Sequence, residues 1–268
     1  LFHYFRSKKQ LYLYCVDRCI EIYRQGFSDN IGKLSSDIFE RLSEWGVIKL
    51  EFFLKYPHEY QVLWRAIVSS PEDLKDEINN KIRDIMTGLG ADVCGIANAL
   101  EFRDVPSGFS PVDVFMDCRS VIVLGFAMPR GLADVEPRLI YNHFNNLSKD
   151  IVDKIAMDGA KTLEKEFDCH AVPLPGDGPY EAWDKETLHG HGLISVKHAA
   201  VKAGLGSLGK STIFLNPQYG NLLTLWAILT SLELKSDPPC EDICIKSCTR
   251  CIDECPVNAI RDGIVDQY

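Results

Sequence analysis

No apolar stretch in this sequence reaches the roughly 18 uncharged residues that a bilayer crossing requires. The longest candidate, residues 222–232, is too short and reads as a buried strand or helix. A basic segment followed by an apolar run, the mark of a secretory signal, is also missing, so a cytoplasmic location is expected. Positive charge is in deficit: 29 Lys and Arg stand against 38 Asp and Glu, a net charge of −9. Binding of a polyanion would therefore need a local basic patch. Repeats and low-complexity tracts are lacking, and 46% hydrophobic with 25% charged residues excludes wholesale disorder. The chain opens on Leu1 rather than Met and stops at Tyr268, soon after its last cysteine, and both ends are expected to be truncated.

Cysteine, by contrast, is abundant. Five of the ten cysteines fall between Cys240 and Cys255, while Cys15, Cys19, Cys94, Cys118 and Cys169 are scattered and read as buried or incidental thiols. Without a signal peptide, such clustering favours metal binding over a disulfide framework. The run is Cys244-Ile-Lys-Ser-Cys248-Thr-Arg-Cys251-Ile-Asp-Glu-Cys255-Pro256. Bacterial ferredoxins use C-x2-C-x2-C-x3-C-P to turn several thiolates onto one cluster. The last two intervals match and the first is one residue longer. Cys240 lies four residues upstream and is a substitute ligand. A four-cysteine zinc site is the competing assignment, but it pairs two close doublets across a longer gap, and no second doublet is present. Iron–sulfur is preferred. In two-cluster ferredoxins the fourth cysteine serves the other cluster, so either a second run lies beyond Tyr268 or one cluster recruits Cys240 or a distant thiol.

The 268 residues suffice for two compact domains. Residues 1–85 read as helical: Leu11, Tyr14, Cys15, Arg18 and Ile22 keep a three-to-four spacing, and so do Ile38, Leu42, Trp45 and Ile48. Ser35, Ser36 and Asp37 offer N-caps, Gly32 and Pro57 mark breaks, and Pro71 opens a helix that runs on through Ile85. From residue 86 to 235 short apolar runs (91–97, 120–126, 169–174) alternate with loops and a helix over 150–167, which indicates an α/β domain. Residues 236–268 form the cysteine-rich, ferredoxin-like tail. The fold class is thus an α/β domain with that tail, preceded by an all-α segment.

Gly204-Leu205-Gly206-Ser207-Leu208-Gly209-Lys210-Ser211 matches both G-x-G-x-x-G and G-x-x-x-x-G-K-S. A phosphate loop needs a strand before it and a helix after it. Here residues 196–203 read as a helix and 212–217 as a strand entering a turn, and no strand ends in a Walker-type Asp. The context rejects both nucleotide motifs. The glycines, with Lys210, read as close backbone packing against a neighbour or a flat cofactor. Nearby acid–base candidates are Asp177, Tyr180, His189, His191 and His198. Asp177 lies in a Pro-Gly-Asp-Gly-Pro turn and is equally readable as an Asx-turn residue.

From about residue 86 the chain resembles the epoxyqueuosine reductase-like iron–sulfur proteins, relatives of the reductive dehalogenases. The resemblance rests on an ordered set: Leu89-Gly-Ala-Asp-Val-Cys-Gly-Ile-Ala97, Ser120-Val-Ile-Val-Leu-Gly125, His198-Ala-Ala-Val-Lys-Ala-Gly-Leu-Gly-Ser-Leu-Gly-Lys210, then the cysteine run. It implies an oxidoreductase in which electrons pass from a donor such as a ferredoxin or flavodoxin through two 4Fe-4S clusters to cobalamin. The substrate would be a modified nucleoside or another small molecule. It also implies that an aspartate ahead of the glycine loop, here Asp177, donates a proton. With one cysteine run and a widened interval, these residues are expected to bind a corrin weakly or not at all. Its wall would come from residues 204–209 and 177–183.

At the other end, Phe2-His3-Tyr4-Phe5-Arg6-Ser7-Lys8-Lys9-Gln10-Leu11 is similar to the end of the recognition helix in TetR-type regulators. That resemblance implies DNA-phosphate contacts by His3, Tyr4 and Lys8 and a dimerising helical domain up to residue 84. DNA binding would require the helices that precede the recognition helix. The alternative function it raises is a regulator fused to a redox-sensing domain.

Overall fold

The computed structural model describes residues 8–31, 34–68, 72–175, 182–186, 189–261 and 263–266. The chain divides into two compact units, Leu1–Glu77 and Ile78–Tyr268.

The first unit contains α1 (Lys8–Ile31), α2 (Ile38–Lys55), α3 (Pro57–Val68) and the start of α4 (Glu72–Gly88). Of the three candidate caps it is Asp37 that starts α2: its Oδ1 accepts the amides of Phe39 and Glu40 at 2.9 and 3.1 Å. Pro57 ends it. A proline pushes the residue before it out of the helical region, and Tyr56 sits at φ −130°, ψ 60°. Among the described residues of this unit Cys19 and Phe52 are buried, and the Phe52 ring meets Tyr23 edge-on at 5.1 Å. Along α2, Phe39, Leu42 and Leu54 stay exposed.

The second unit is built on one four-stranded sheet. Its strands are β1 (Val93–Asn98), β2 (Ser120–Ala127), β3 (Ala171–Pro173) and β8 (Leu223–Thr230), in the order β1-β2-β8-β3. Every pairing is antiparallel. The register aligns Ile96, Ile122 and Ile228 on one face and Ala97, Val121 and Leu229 on the other. Helices cover both faces. On the first, Ile82 and Met86 of α4 pack with Val152, Ile155, Ala156 and Leu163 of α6 (Leu139–Phe167). On the second, Ala199, Ala200 and Ala203, at and just beyond α7 (Val196–Lys202), pack with Phe102 and Phe214. Two covered faces explain why Val121 to Leu124 form an unbroken apolar run rather than an alternating one, all with no exposed surface.

Between these lie α5 (Pro111–Val114), the hairpin of β4 (Ala182–Asp184) with β5 (His189–His191), and the hairpin of β6 (Ser207–Leu208) with β7 (Phe214–Leu215). The tail adds α8 (Arg250–Asp253) and a last hairpin, β9 (Ile260–Arg261) with β10 (Ile264–Val265). The chain is thus a mixed α/β protein with a cysteine-rich C-terminal region. The helix expected from residue 150 begins at Leu139: its first turns expose Leu139, Ile140 and Phe144 and are interrupted by asparagines, so their apolar period is not that of a core helix. Among the described residues no helix is long and apolar enough to cross a membrane.

Helix α7 reaches the sheet closely because Gly95 has no side chain. A Cβ there would collide with the carbonyl oxygen of Ala203 and stand 2.7 Å from Cγ of Leu205. Gly95→Ala is expected to cost about 1–3 kcal/mol of overpacking in urea unfolding. Gly131→Ala, where a Cβ meets nothing within 4 Å, should stay within about 0.5 kcal/mol of wild type.

Candidate functional site

The glycine-rich loop begins as a helix stop. Gly204, at φ +70°, follows α7 in the left-handed conformation. Its amide bonds to Val201 O at 3.0 Å, and the amide of Leu205 bonds to Ala200 O at 3.0 Å. This pair of bonds is the Schellman motif that satisfies the last carbonyls of a helix. A Cβ at Gly204 would strike the carbonyl of Pro238, and one at Gly206 the carbonyl of Leu215. At both positions the space that a side chain would take is filled by protein backbone. The chain then enters β6, turns, and returns as β7. The turn is closed by Gly209 N to Ile213 O (2.9 Å) and Thr212 N to Gly209 O (2.8 Å). It holds Thr212 at φ +60°, a strained position for a β-branched residue.

The cysteine tail lies on this hairpin. Its lead is pinned first. Asp237 accepts the amide of Ile96 at 2.8 Å, donates its own amide to Ile96 O at 2.8 Å, and pairs with the Arg83 guanidinium. Asn79 Nδ2 donates to Lys235 O at 2.7 Å. Next, Ser207 Oγ accepts the amide of Ile243 at 2.9 Å. Lys210 Nζ donates to the carbonyls of Lys246 (2.6 Å) and Cys248 (3.0 Å). A cavity of about 360 Å³ opens here, lined by Leu208, Gly209, Lys210, Thr212, Asp242 and Cys244.

Cys240, Cys244, Cys248, Cys251 and Cys255 are all half-buried free thiols. Cys251 rides on α8, and Cys255 sits in a turn whose amides point at its sulfur. Ala259 donates to Sγ at 3.3 Å. The amide of Val257 first, then that of Ala259, pull the Cys255 thiol below its usual range. Amides aimed at a sulfur stabilise the thiolate, the form that ligates metal. Among the described residues no three His, Cys, Asp or Glu side chains already converge as a metal cage. The donor set and the amide nest are what fit an iron–sulfur cluster.

A second cavity, about 670 Å³, is also lined by Leu208. Its apolar wall includes Phe102, Val105, Phe109, Val201 and Leu208, and its polar groups are Asp104, Ser195, His198 and Lys202. Ser195 precedes α7 but makes no side-chain cap bond. Its Oγ lies instead 2.6 Å from Nδ1 of His198. Lys202 Nζ donates to Asp104 at 3.0 Å, which holds that carboxyl below the usual range, and lies 5.5 Å over the Phe102 ring. Few polar groups converging on a concave apolar wall is the pattern of a small-molecule site.

Of the residues singled out in the sequence, the structure brings together Lys210, Gly209 and Cys244 at one cavity and His198 at the other. Asp177 and Tyr180 lie outside the described residues, as do His3 and Tyr4. Lys8 is the first residue of α1. His189 and His191 pair with Asp184 and Ala182 in the β4–β5 hairpin. The sequence reading missed Asp104, Ser195 and Lys202. The last two share a helix face with His198 at i, i+3, i+7 spacing, a signal that was there to be read; Asp104 carried none.

No family model matches the chain. It is 26% identical over 166 residues to the epoxyqueuosine reductase of Lactococcus garvieae, covering 62% of this chain and 45% of that protein. A solved epoxyqueuosine reductase with an epoxyqueuosine-modified tRNA stem loop aligns over 71% of this chain and 55% of its own, with a TM-score of 0.54 and 18% identity. A catabolic reductive dehalogenase in complex with 3-bromo-4-hydroxybenzoic acid aligns over 68% of this chain and 25% of its own, with a TM-score of 0.53 and 20% identity. The fold is shared with both. The chain spans about half the length of the reductases it matches.

The thiols should separate by reactivity. Burial pushes Cys94 up to about 12 and Cys118 up to about 11, while Cys255 is lowered. Alkylation of the metal-free, reduced chain at neutral pH, read by peptide mass spectrometry, is expected to modify Cys255 well before Cys94 and Cys118. Equal rates would remove the amide nest from the account.

Proposed function

We propose that this chain is the electron-delivering part of an iron–sulfur oxidoreductase of the epoxyqueuosine reductase-like type. The observation that carries the reading is Leu208, which lines both cavities. One residue thus borders both the cavity at the cysteine loop and an apolar pocket able to take an electron acceptor.

Cys244, Cys248, Cys251 and Cys255 would hold a 4Fe-4S cluster in a ferredoxin-like tail, with Cys240 as a substitute ligand. The cluster supplies one-electron storage and transfer when bound. The protein's own part is to seat the thiolates, keep their loop against the β6–β7 hairpin, and exclude water from the acceptor. When the Ser195 hydroxyl donates to Nδ1, His198 carries its hydrogen on Nε2 and would donate a hydrogen bond to a molecule in the second cavity. Asp177 keeps the proton-donor role that the resemblance implies. The electron donor would be a ferredoxin or flavodoxin, and the setting the cytoplasm.

For the substrate we propose a modified nucleoside or a comparable ring compound. One similar structure holds a tRNA stem loop bearing such a nucleoside, and another holds a halogenated aromatic acid. The aromatic wall suits a ring, and a net charge of −9 disfavours a large RNA-backbone contact by these residues. Cobalamin takes no part in the proposal. The wall expected for it included residues 204–209, and at Gly204 and Gly206 the Cβ positions are occupied by backbone carbonyls. The regulator resemblance gains no observation among the described residues, and no DNA-binding role is proposed.

Anaerobic reconstitution followed by iron and sulfide analysis tests the reading. About four irons and four sulfides per chain are expected, with an electron paramagnetic resonance signal on reduction. Cys248→Ser and Cys255→Ser should each lower the iron content. Stoichiometric zinc without iron would overturn the proposal.

A further inference from the structure

We infer that Lys210 is a positioning residue: it fixes the cysteine loop in place and keeps an ammonium beside the seat of the cluster. The inference rests on the iron–sulfur reading above for its redox part, and on geometry alone for the rest.

In the phosphate-loop pattern that residues 204–211 imitate, the lysine would reach for a phosphate. Here its reach is already spent. Nζ donates at 2.6 Å to the carbonyl of Lys246 and at 3.0 Å to that of Cys248. Both carbonyls lie in the stretch from Cys244 to Cys251, so the two bonds set the path of the chain between the first and third thiols. Charge-assisted bonds of this kind are the stronger class. The same residue also works through its main chain. Its carbonyl accepts the amide of Gly263 at 2.9 Å, which lies in the turn between β9 and β10, beyond the last cysteine. One residue therefore grips the tail at two places, inside the cysteine run and beyond its last thiol.

The base that carries Lys210 is rigid. Gly209 and Thr212 close the turn through backbone bonds, and Lys197 Nζ donates to Thr212 O at 3.1 Å. A flexible base would let the ammonium follow the loop, whereas this one holds the loop to the hairpin. The charge matters as well. Asp242 lines the same cavity as Lys210 and Cys244, and a cluster with four thiolate ligands adds negative charge. An ammonium next to them favours the reduced cluster over the oxidised one, since reduction adds one electron.

Lys210→Met removes the charge and donors while keeping a similar stem; Lys210→Arg restores charge and donors. In the metal-free full chain, amide hydrogen exchange over residues 243–251 is expected to accelerate about tenfold or more in the Met variant, as two bonds to a charged donor are lost. It should return toward wild type in the Arg variant. Exchange in β8 should not change. After reconstitution, the Met variant should show a lower cluster midpoint potential by redox titration, with the Arg variant close to wild type. Unchanged exchange over 243–251, acceleration that extends equally to β8, or an unchanged midpoint potential in the loaded Met variant would each overturn the assignment. A wild-type chain that takes up zinc and no iron would instead overturn the iron–sulfur reading, while the exchange comparison would still decide on the tether.

Discussion

The architecture of the site depends on one constraint, the close approach of backbone to backbone at Gly204 and Gly206. Where Gly204 stands, the carbonyl of Pro238 leaves no room for a side chain, and where Gly206 stands, that of Leu215 leaves none. The positive φ of Gly204 ends α7 through a Schellman motif and turns the chain into β6. Because the glycines are bare, the β6–β7 hairpin can pack beneath the lead of the cysteine tail. Ser207 and Lys210 then reach the tail itself. A bulkier residue at either glycine would separate the helix end, the hairpin and the thiol loop together.

That constraint is effective because the sheet behind it is rigid. Strands β1, β2 and β8 are buried on both faces, and α7 meets them through Ala199, Ala200 and Ala203, with Gly95 giving the final clearance. Small residues at a helix–sheet contact place the helix axis with little tolerance. The polar groups of the larger cavity, Ser195, His198 and Lys202, all belong to or adjoin that helix. Their placement is inherited from the core. In the helical first unit Cys19 and Phe52 are buried among the described residues.

Much of this was legible in the sequence where the signal is local. The cysteine run is one contiguous stretch, the buried strands are unbroken apolar runs, and Pro57 acts on its immediate neighbour. The glycine loop was legible in part: helix before and strand after exclude a phosphate loop, and the structure shows the same order. What faces the glycines was not, because Pro238 lies more than thirty residues away and no pattern links it to Gly204. The same holds for the larger cavity, whose two walls come from residues 102–109 and 194–208. The early start of α6 at Leu139 was hidden by exposed apolar residues that break the amphipathic period.

The central claim is that the tail's thiols seat iron next to the β6–β7 hairpin. Anomalous diffraction from anaerobically grown crystals of the reconstituted chain, collected on either side of the iron edge, tests it most directly. The account predicts an iron-specific peak bonded to the sulfurs of Cys244, Cys248, Cys251 and Cys255, or to Cys240 in place of one of them, beside Lys210. A peak that appears only at the zinc edge, or iron bound away from this loop, would contradict it.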